Sequence, residues 1–365
     1  MPLKTVIGDH GSAHKGRGAT LNVEGRFQTQ LRQAFDDGWE TLTEEGPARP
    51  QTTVTAERAK SIISHNDSPD VSFSSSTNPY RGCEHGCIYC FARPSHAYLD
   101  LSPGLDFETR LFAKVNAAEL LRAELSKRSY QCEGLTIGIN TDCYQPIERE
   151  WRITRQILEV LSECNHPLAI ITKNALVERD LDLLAPMAKK GLAQVYLSVT
   201  TLDHEIARRM EPRASSPRRR IEAIGNLARA GVPVGVMVAP IVPFLTDDGM
   251  ESVLDAAAAA GAGSAGYTLM RLPWELKELF KDWLDHNYPL KAAHVMSRVR
   301  QMRNGKENDP NFGTRHRGTG LIADLLNKRF DAACRRLGLN QERTTPKTDT
   351  SQFRPPRAPG QMDLF

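Results

Sequence analysis

The sequence predicts an α/β fold made of six β/α units. Between residues 70 and 272, six short apolar runs alternate with stretches whose apolar residues recur at helical spacing. Strands that alternate with helices are typical of parallel β/α units. The runs are apolar almost without interruption, as expected for strands covered on both faces. Periodicity leaves open whether these units form an open doubly wound sheet or part of a barrel.

The predicted elements follow one another in a regular order. The strands are Val71–Phe73, Leu135–Ile139, Leu168–Ile171, Val195–Val199, Val232–Val238 and Tyr267–Met270. The helices between them are Ala113–Leu125, Ile153–Leu161, Leu181–Ala188, Arg220–Ala230 and Gly249–Ala260. The last two helices run directly into Gly231 and Gly261, and glycine commonly ends a helix.

Three further segments flank this core. Residues 1–69 lack sustained periodicity and are predicted to form an extended, partly ordered arm. Three apolar stripes at helical spacing after Pro273 predict a helical cap over residues 273–340. Residues 341–365 contain four prolines and few apolar residues before the last five, so we expect a disordered tail.

Composition and charge narrow the class of protein without identifying a partner. With 40% hydrophobic and 25% charged residues the chain is ordinary for a globular protein, and a net charge of +3 does not by itself indicate nucleic acid. No secretory h-region opens the sequence, and the longest weakly polar stretch, 256–270, is too short to cross a bilayer. We therefore expect a cytoplasmic protein without membrane association, where clustered cysteines indicate a metal or catalysis.

Three of the seven cysteines, Cys83, Cys87 and Cys90, lie within eight residues in the spacing C-x3-C-x2-C. Soft thiolate ligands select iron–sulfur clusters, zinc or copper(I). Spacing places no fourth cysteine beside them, although His85 lies inside the loop and is a candidate fourth ligand. A cluster with three protein thiolates leaves one iron open to an outside ligand, whereas a structural zinc site is closed by four protein ligands.

This spacing, with Tyr89 directly before the last cysteine, resembles the signature of the radical S-adenosylmethionine (SAM) superfamily. The flanking residues 78–82 and 91–93, Asn-Pro-Tyr-Arg-Gly and Phe-Ala-Arg, are similar to the branch that contains spore photoproduct lyase and uncharacterised, DNA repair photolyase-like proteins. The resemblance covers about residues 70–272 and implies a partial, six-unit (β/α) TIM-type barrel. That barrel would carry the N-terminal arm, the C-terminal helical cap and the tail.

The same resemblance implies a chemistry. Cys83, Cys87 and Cys90 would hold a 4Fe-4S cluster whose open iron binds SAM. One electron, from a donor such as flavodoxin or ferredoxin, would split SAM reductively and give a 5′-deoxyadenosyl radical that abstracts hydrogen from a substrate. The protein would orient the reactive carbon of the cofactor and exclude quenching reactions.

Residues at the carboxyl ends of the predicted strands are candidates for the SAM pocket, because chemistry gathers there in parallel β/α barrels. The resemblance implies Tyr89 near the adenine, Asn140 or Asp142 at the amino group, Ser198 or Thr200 at the ribose, and Lys173 and Arg220 at the carboxylate. The chain has Asn-Thr-Asp at 140–142, where family members often have Gly-Gly-Glu. For Lys173 a solvated lysine at a helix start remains the alternative.

Two features bear on the substrate. Cys143 is either a small core residue or a hydrogen-atom donor, a role that a cysteine has in spore photoproduct lyase. Six arginines between residues 208 and 220 form either a solvated face or a phosphate-binding segment. We expect DNA or a nucleotide lesion as substrate, with RNA or protein as the alternative. The rival of another class is a non-catalytic, clamp-tethered nucleic-acid-binding module with a structural zinc.

The last five residues carry two large apolar side chains at the tip of a polar tail. Their pattern, Gln361-x-x-Leu364-Phe365, resembles the motif that binds the bacterial β sliding clamp. The resemblance implies that these three side chains dock on the clamp as a short peptide that orders on its partner. The alternative is that Leu364 and Phe365 pack against the helical cap.

Overall fold

The computed structural model describes residues 16–27, 51–341 and 349–356. In these residues two sheets form, and their strands alternate with helices. The strands are β1 Thr53–Glu57, β2 Ile63–His65, β3 Ser75–Thr77, β4 Tyr80–Arg81, β5 Arg110–Lys114, β6 Leu135–Ile137, β7 Leu168–Thr172, β8 Ala193–Ser198, β9 Val234–Ile241 and β10 Ser264–Leu269. The α-helices are α1 Leu105–Thr109, α2 Ala117–Leu125, α3 Glu148–Trp151, α4 Ile153–Glu163, α5 Leu181–Lys189, α6 His204–Met210, α7 Pro217–Arg229, α8 Met250–Ala259, α9 Leu276–Asn287, α10 Pro289–Gln301 and α11 Leu321–Leu337. The 3-10 helices are Arg93–Leu99, Ala175–Asp180 and Asp247–Gly249.

The larger sheet has the strand order β10-β9-β8-β7-β6-β3-β2. Strands β3 and β6 to β10 pair in parallel, and β2 adds to β3 in the antiparallel direction. Strands β10 and β2 are the two ends of this order, so the sheet does not close on itself. The predicted α/β fold, a partial barrel of six β/α units, is confirmed.

The helices pack their apolar faces on the outside of this sheet. In α4, Ile153, Ile157 and Leu161 recur every four residues and are all at most 2% exposed. This spacing puts them on one face of the helix, where burial contributes about 1.5–3 kcal/mol for each side chain. The opposite face of α4 carries polar residues such as Gln156 and Glu159, which are exposed. Amphipathic spacing of this kind explains why the predicted helix positions hold.

Two predicted elements begin four residues away from their observed start, whereas the starts of the others differ by at most three residues. The first barrel strand is Ser75–Thr77 and not Val71–Phe73, because the small side chains of this polar triplet are buried between β2 and β6. Helix α2 begins at Ala117 and not Ala113, because residues 110–114 form strand β5. Strand β5 lies in a smaller sheet of order β1-β5-β4, which periodicity did not reveal.

The segments that flank the barrel pack against it. The predicted helical segment contains α9, α10 and α11: α9 and α10 pack on each other with the buried ring of Trp283 in their core, whereas α11 packs on α8 of the barrel. Residues 349–356, predicted to be disordered, contact the barrel: the Arg354 N–H donates to the carbonyl of Cys164 over 2.8 Å, and Phe353 lies beside His166. Disorder therefore does not hold for these eight residues. None of the described helices combines the length and apolar character that crossing a bilayer requires.

Candidate active site at the cysteine loop

The three cysteines lie on one loop, residues 82–93, which follows β3 and β4 at the carboxyl end of the barrel. The Ile88 N–H donates to the carbonyl of Met210 over 3.0 Å, and the Cys90 N–H donates to the carbonyl of Cys87 over 3.2 Å. Gly86 has a φ of 67°, and a Cβ atom there would lie 2.6 Å from the carboxylate of Glu108. A glycine is therefore required at this turn of the cysteine loop.

A buried ion pair supports the cysteine loop from behind. Arg93 and Glu108 form this pair, and neither side chain is exposed. The Arg93 Nε atom donates to the carbonyl of Cys87 over 2.9 Å, and Nη2 donates to the carbonyl of Gly86 over 3.0 Å. The guanidinium thereby ties the backbone between two cysteines to the neutralising carboxylate.

The N-terminal arm, residues 16–27, covers the same loop. The backbone N–H groups of Gly18 and Ala19 donate to the two carboxylate oxygens of Glu108 over 3.0 and 2.8 Å. A Cβ atom on Gly18 would overlap the carbonyl oxygen of Gly86, so the two backbones are in direct contact. Ala19 is fully buried and belongs to the same apolar cluster as Cys87. The arm is thus part of the wall around the cysteines.

The thiols of Cys83, Cys87 and Cys90 are free, and the first two are almost completely buried. Burial raises the pKa of all three thiols, that of Cys87 to about 12, and the nearby charge of Cys90 raises the pKa of the other two further. Because soft, mutually repelling thiolates are stabilised by a thiophilic metal centre, this donor set fits an iron–sulfur cluster with three protein ligands. Within the described ranges no three His, Cys, Asp or Glu side chains are arranged around a single ion.

Lys173 places a cation beside the cysteines. Its Nζ atom lies 5.8 Å from the centre of the Tyr89 ring, and no carboxylate within the described residues lies within ion-pair distance of it. Burial works to lower the pKa of Lys173, but the charges at Cys87, Glu211 and Asp142 outweigh burial and raise the pKa. The ammonium group is therefore charged and has capacity for an anionic partner, which disfavours the interpretation as a solvated lysine.

Glu211 brings together three of the predicted SAM-pocket residues. Its carboxylate accepts hydrogen bonds from the hydroxyls of Tyr89 and Thr200 and pairs with the guanidinium of Arg220. Arg220 also donates to the carbonyl of Ser198 over 3.0 Å, and the Glu211 and Arg220 side chains are each 1% exposed. Burial works to raise the pKa of Glu211, yet Arg220 and Lys173 hold it below its usual value. These contacts fix Arg220 beside Glu211 with its donors already engaged, so its predicted contact with the SAM carboxylate stays a prediction.

Asp142 is equally engaged. It accepts hydrogen bonds from the Thr172 hydroxyl over 2.6 Å and from the Lys173 N–H over 2.7 Å, and it lies 3.3 Å from Nδ1 of His85. Nε2 of His85 meets the side-chain amide of Asn174 at 3.1 Å. Both ring nitrogens of His85 are therefore used, which removes it as a fourth metal ligand. Asp142 ties the cysteine loop to the end of β7.

The remaining predicted residues have different surroundings. Asn140 follows β6 and is half-buried, and its N–H donates to the Asn78 side chain over 2.8 Å. Cys143 is 0% exposed and lies in the main apolar core, where burial raises its thiol pKa. This placement fits the core interpretation and gives the hydrogen-donor interpretation no support. Gln361, Leu364 and Phe365 lie outside the described residues, so clamp docking stays a prediction.

The arginines of segment 208–220 are engaged, mostly by partners outside the segment. Arg213 pairs with Glu84, Arg219 with Glu178, and the other members also contact carboxylates or backbone carbonyls. These contacts favour the solvated or structural interpretation over phosphate binding. Sequence reasoning also missed Glu108 and Glu211, whose arginine partners lie 15 and 9 residues away in the chain.

Comparison with known proteins supports the same class of site. A sequence profile described as the Radical SAM superfamily matches residues 77–257. An uncharacterised protein of Mycobacterium tuberculosis is 38% identical over 256 residues, which cover 69% of this chain and 74% of the relative. An uncharacterised protein of Methanocaldococcus jannaschii is 27% identical over 212 residues, covering 58% of this chain and 75% of the relative. A Pseudomonas phage M6 protein named Radical SAM Nalpha-GlyT isomerase is 26% identical, over 51% of this chain and 37% of its own length.

Among solved structures, spore photoproduct lyase complexed with dinucleoside spore photoproduct has a TM-score of 0.58 and 17% identity, covering 78% of this chain and 80% of that chain. A variant of the same lyase gives a TM-score of 0.56 at 18% identity, over 78% of this chain and 80% of that chain. At these identities the likeness shows the shared fold.

Fold and cysteine loop together define an enzyme that works with an iron–sulfur cluster and a bound nucleoside cofactor. The chain belongs to the radical SAM superfamily, whose cofactors are a 4Fe-4S cluster and SAM. The alternative of a non-catalytic module with structural zinc is thereby set aside.

Proposed function

We propose that Cys83, Cys87 and Cys90 hold the 4Fe-4S cluster and that SAM binds between it and Lys173. The observation that carries this proposal is the convergence of three free thiols at the carboxyl end of the barrel, beside an ammonium group without an ion-pair partner among the described residues. When bound, the cluster supplies the electron that splits SAM and so generates the 5′-deoxyadenosyl radical. A charge-assisted hydrogen bond from Lys173 would orient the SAM carboxylate.

The other pocket residues would position the cofactor. Tyr89 presents its ring toward Lys173, and its hydroxyl is held by Glu211, so the ring has a fixed orientation for contact with the adenine. Thr200, at the same carboxylate, would meet the ribose, and Asn140 or Asp142 the amino group. Glu211 would act as a positioning residue, because it reaches the cofactor only through the side chains that it holds.

For the substrate we propose DNA or a nucleotide lesion. The spore photoproduct lyase structure that shares this fold contains a dinucleoside photoproduct, and a nucleic-acid substrate here rests on that fold-level likeness. RNA or a protein remains the alternative substrate class.

The experiment is anaerobic reconstitution followed by iron and sulfide analysis and SAM cleavage under dithionite. We expect 5′-deoxyadenosine from the unaltered enzyme and none from Cys87→Ala. The matched control is Cys132→Ala, which removes a half-buried cysteine elsewhere and should leave cleavage unchanged. Stoichiometric zinc without a cluster chromophore, or a Cys87→Ala enzyme that still cleaves SAM, would overturn the assignment. Transfer of deuterium from labelled DNA, RNA or protein into 5′-deoxyadenosine identifies the substrate class.

A further inference from the structure

A cavity of about 620 Å³ occupies the inner side of the barrel. Its wall includes Thr136, Ile171, Tyr196 and Thr268, which lie on four different strands of the larger sheet. Side chains two residues apart on a strand face the same side. The next inward positions on β7 and β8 are therefore those of the predicted SAM-pocket residues Lys173 and Ser198. The cavity thus lies directly beneath the proposed cofactor site, at a size typical of ligand sites.

A loop of the helical cap lies across the gap between the two ends of the sheet. We call residues 309–318 the bridging loop. The Leu269 N–H, at the end of β10, donates to the carbonyl of His316 over 2.8 Å, and Arg315 pairs with Asp70 on the segment that leads to β3. The buried Arg303 donates to carbonyl oxygens of this loop and of Met270. These contacts fix the bridging loop in place, so that it forms the wall of the barrel on its open side.

The open side carries more positive than negative charge. The arginines are Arg271, Arg303, Arg315 and Arg317, and the nearby aspartates are Asp70 and Asp309. His316 adds no charge at neutral pH, because burial and the neighbouring arginines lower its pKa to about 4. Glu133 also lines the cavity, so four guanidinium groups face three carboxylates and a net positive charge remains.

Three of these guanidinium groups have no ion pair within the described residues, but Arg303 is engaged by backbone carbonyls, which leaves Arg271 and Arg317. Arg271 lies two residues after the end of β10, close to Arg315 and Asp70 rather than in the cavity wall, and its buried Nε atom has no hydrogen-bond partner. Arg317 lines the cavity, and its guanidinium carbon lies 4.1 Å from the centre of the Tyr267 ring. Stacking fixes the plane of this guanidinium but leaves its N–H donors available. Planar, forked donors of this kind match phosphate and carboxylate oxygens.

We propose that the cavity binds a nucleotide unit of the substrate and that Arg271 and Arg317 bind its phosphate at the open side. The cavity offers the ring of Tyr196 and the amide of Gln194 to a planar base. Arg317 on the bridging loop and Arg271 after β10 offer their guanidinium groups to the anion. This assignment rests on the proposed function, since it places the substrate of the same enzyme below the SAM carbon that reacts. Free nucleotides and oligonucleotides share this chemistry.

The test measures ligand binding to the reconstituted holoenzyme by calorimetry. The probes are thymidine, thymidine 5′-monophosphate and a short oligothymidylate, since thymine does not compete for the proposed adenine contact at Tyr89. We expect the monophosphate or the oligonucleotide to bind at least about tenfold more tightly than thymidine. Arg271→Gln/Arg317→Gln should remove that advantage and leave thymidine binding unchanged. Preference for the oligonucleotide over the monophosphate identifies a polymeric substrate.

The matched control is Arg336→Gln, which removes an exposed arginine paired with Asp255 on α11 and should change nothing. If the double variant does not fold, the salt dependence of the unaltered enzyme decides: affinity for the monophosphate should fall with salt, and affinity for thymidine should not. Equal binding of thymidine and its phosphate, or no binding of either phosphate probe, overturns the proposal. SAM cleavage without added substrate is measured in parallel, so failure of the proposed function is seen separately.

Discussion

The two sides of the barrel mouth differ in how they use charged side chains. On the cysteine-loop side, Arg93 and Glu108 are fully buried and their polar atoms are satisfied by each other, by loop carbonyls and by the arm. On the open side, Arg271 and Arg317 have no ion pair among the described residues; Arg317 lines the cavity, and the Nε atom of Arg271 is buried without a hydrogen-bond partner. The difference separates a region built to hold a geometry from one with donors left for a ligand.

Substitution of Glu108 gives the strongest test of the difference between the cysteine-loop side and the open side. Glu108→Ala leaves the buried Arg93 guanidinium without its counter-charge and removes two acceptors for the arm. We expect a loss of about 3–5 kcal/mol in the free energy of unfolding, measured by urea denaturation of the reconstituted enzyme. Glu119→Ala, which breaks an exposed pair with Arg58, should cost less than about 1 kcal/mol. If both substitutions lower the free energy of unfolding equally, the buried pair stabilises the fold no more than the exposed pair does.

Substitution of Lys173 tests whether its ammonium group, which has no ion pair among the described residues, binds SAM. Lys173→Gln removes the ammonium group near Cys87 and Glu211, and we expect SAM to bind at least about tenfold more weakly. Lys173→Arg keeps the charge and should recover part of the affinity. Equilibrium binding of SAM to the reconstituted, unreduced enzyme measures both variants. Unchanged affinity in Lys173→Gln would remove this residue from the pocket.

Close backbone contact between arm and loop is tested at Gly18. A methyl group there would overlap the Gly86 carbonyl, so Gly18→Ala should detach the arm at a cost of about 1–3 kcal/mol. Hydrogen exchange should show faster exchange of the Gly18 and Ala19 amides. Gly249→Ala is the control, because no atom lies within 4 Å of the added methyl group. Protected arm amides in Gly18→Ala would contradict the contact.

The smallest expected effect concerns the far end of the barrel, where residues 349–356 pack. His166 is buried beside Phe353 and bonds to the hydroxyl of Tyr130 at 2.7 Å, and burial lowers its pKa from 6.5 to about 4. Between pH 6.5 and about pH 4, His166 is protonated in the unfolded chain and neutral in the folded chain. Stability should therefore fall as the pH drops below 6.5, by about 1 kcal/mol at pH 5.5.

His166→Gln removes this titration and should make the pH dependence of unfolding shallower by up to one proton in that window. His96 and His316 have lowered pKa values for the same reason and will retain part of the slope. A denaturant series from pH 7.5 to pH 5 measures the slope for both proteins. Identical slopes would mean that His166 is not the proton acceptor.

The sequence contains enough information for most of the fold because apolar spacing reports burial directly. Ile153, Ile157 and Leu161 identify α4 without any partner. The strand Ser75–Thr77 is invisible to the same reasoning, since small polar side chains fit between two neighbouring strands without an apolar run. Tertiary context decides such segments.

The site divides in the same way. Cys83, Cys87 and Cys90 are recognisable because their spacing is local. Glu108 and Glu211 are not recognisable, because isolated glutamates acquire their meaning from partners on other elements. Arginine-rich segments mislead for the opposite reason: the charge is visible in the sequence, but its neutralisation by distant carboxylates is not.

Thr350 has a consequence for how the enzyme protects its chemistry. Its side chain is part of the cavity wall, and its segment is held by the Arg354 N–H and by Gln352, whose amide donates to the carbonyl of Lys190 over 2.8 Å. The N-terminal arm, residues 16–27, covers the cysteine loop at one end of the barrel, and residues 349–356 cover the cavity at the other end. If the cavity holds the substrate as proposed, a shortened chain that ends before residue 349 would open the substrate site to solvent at this end.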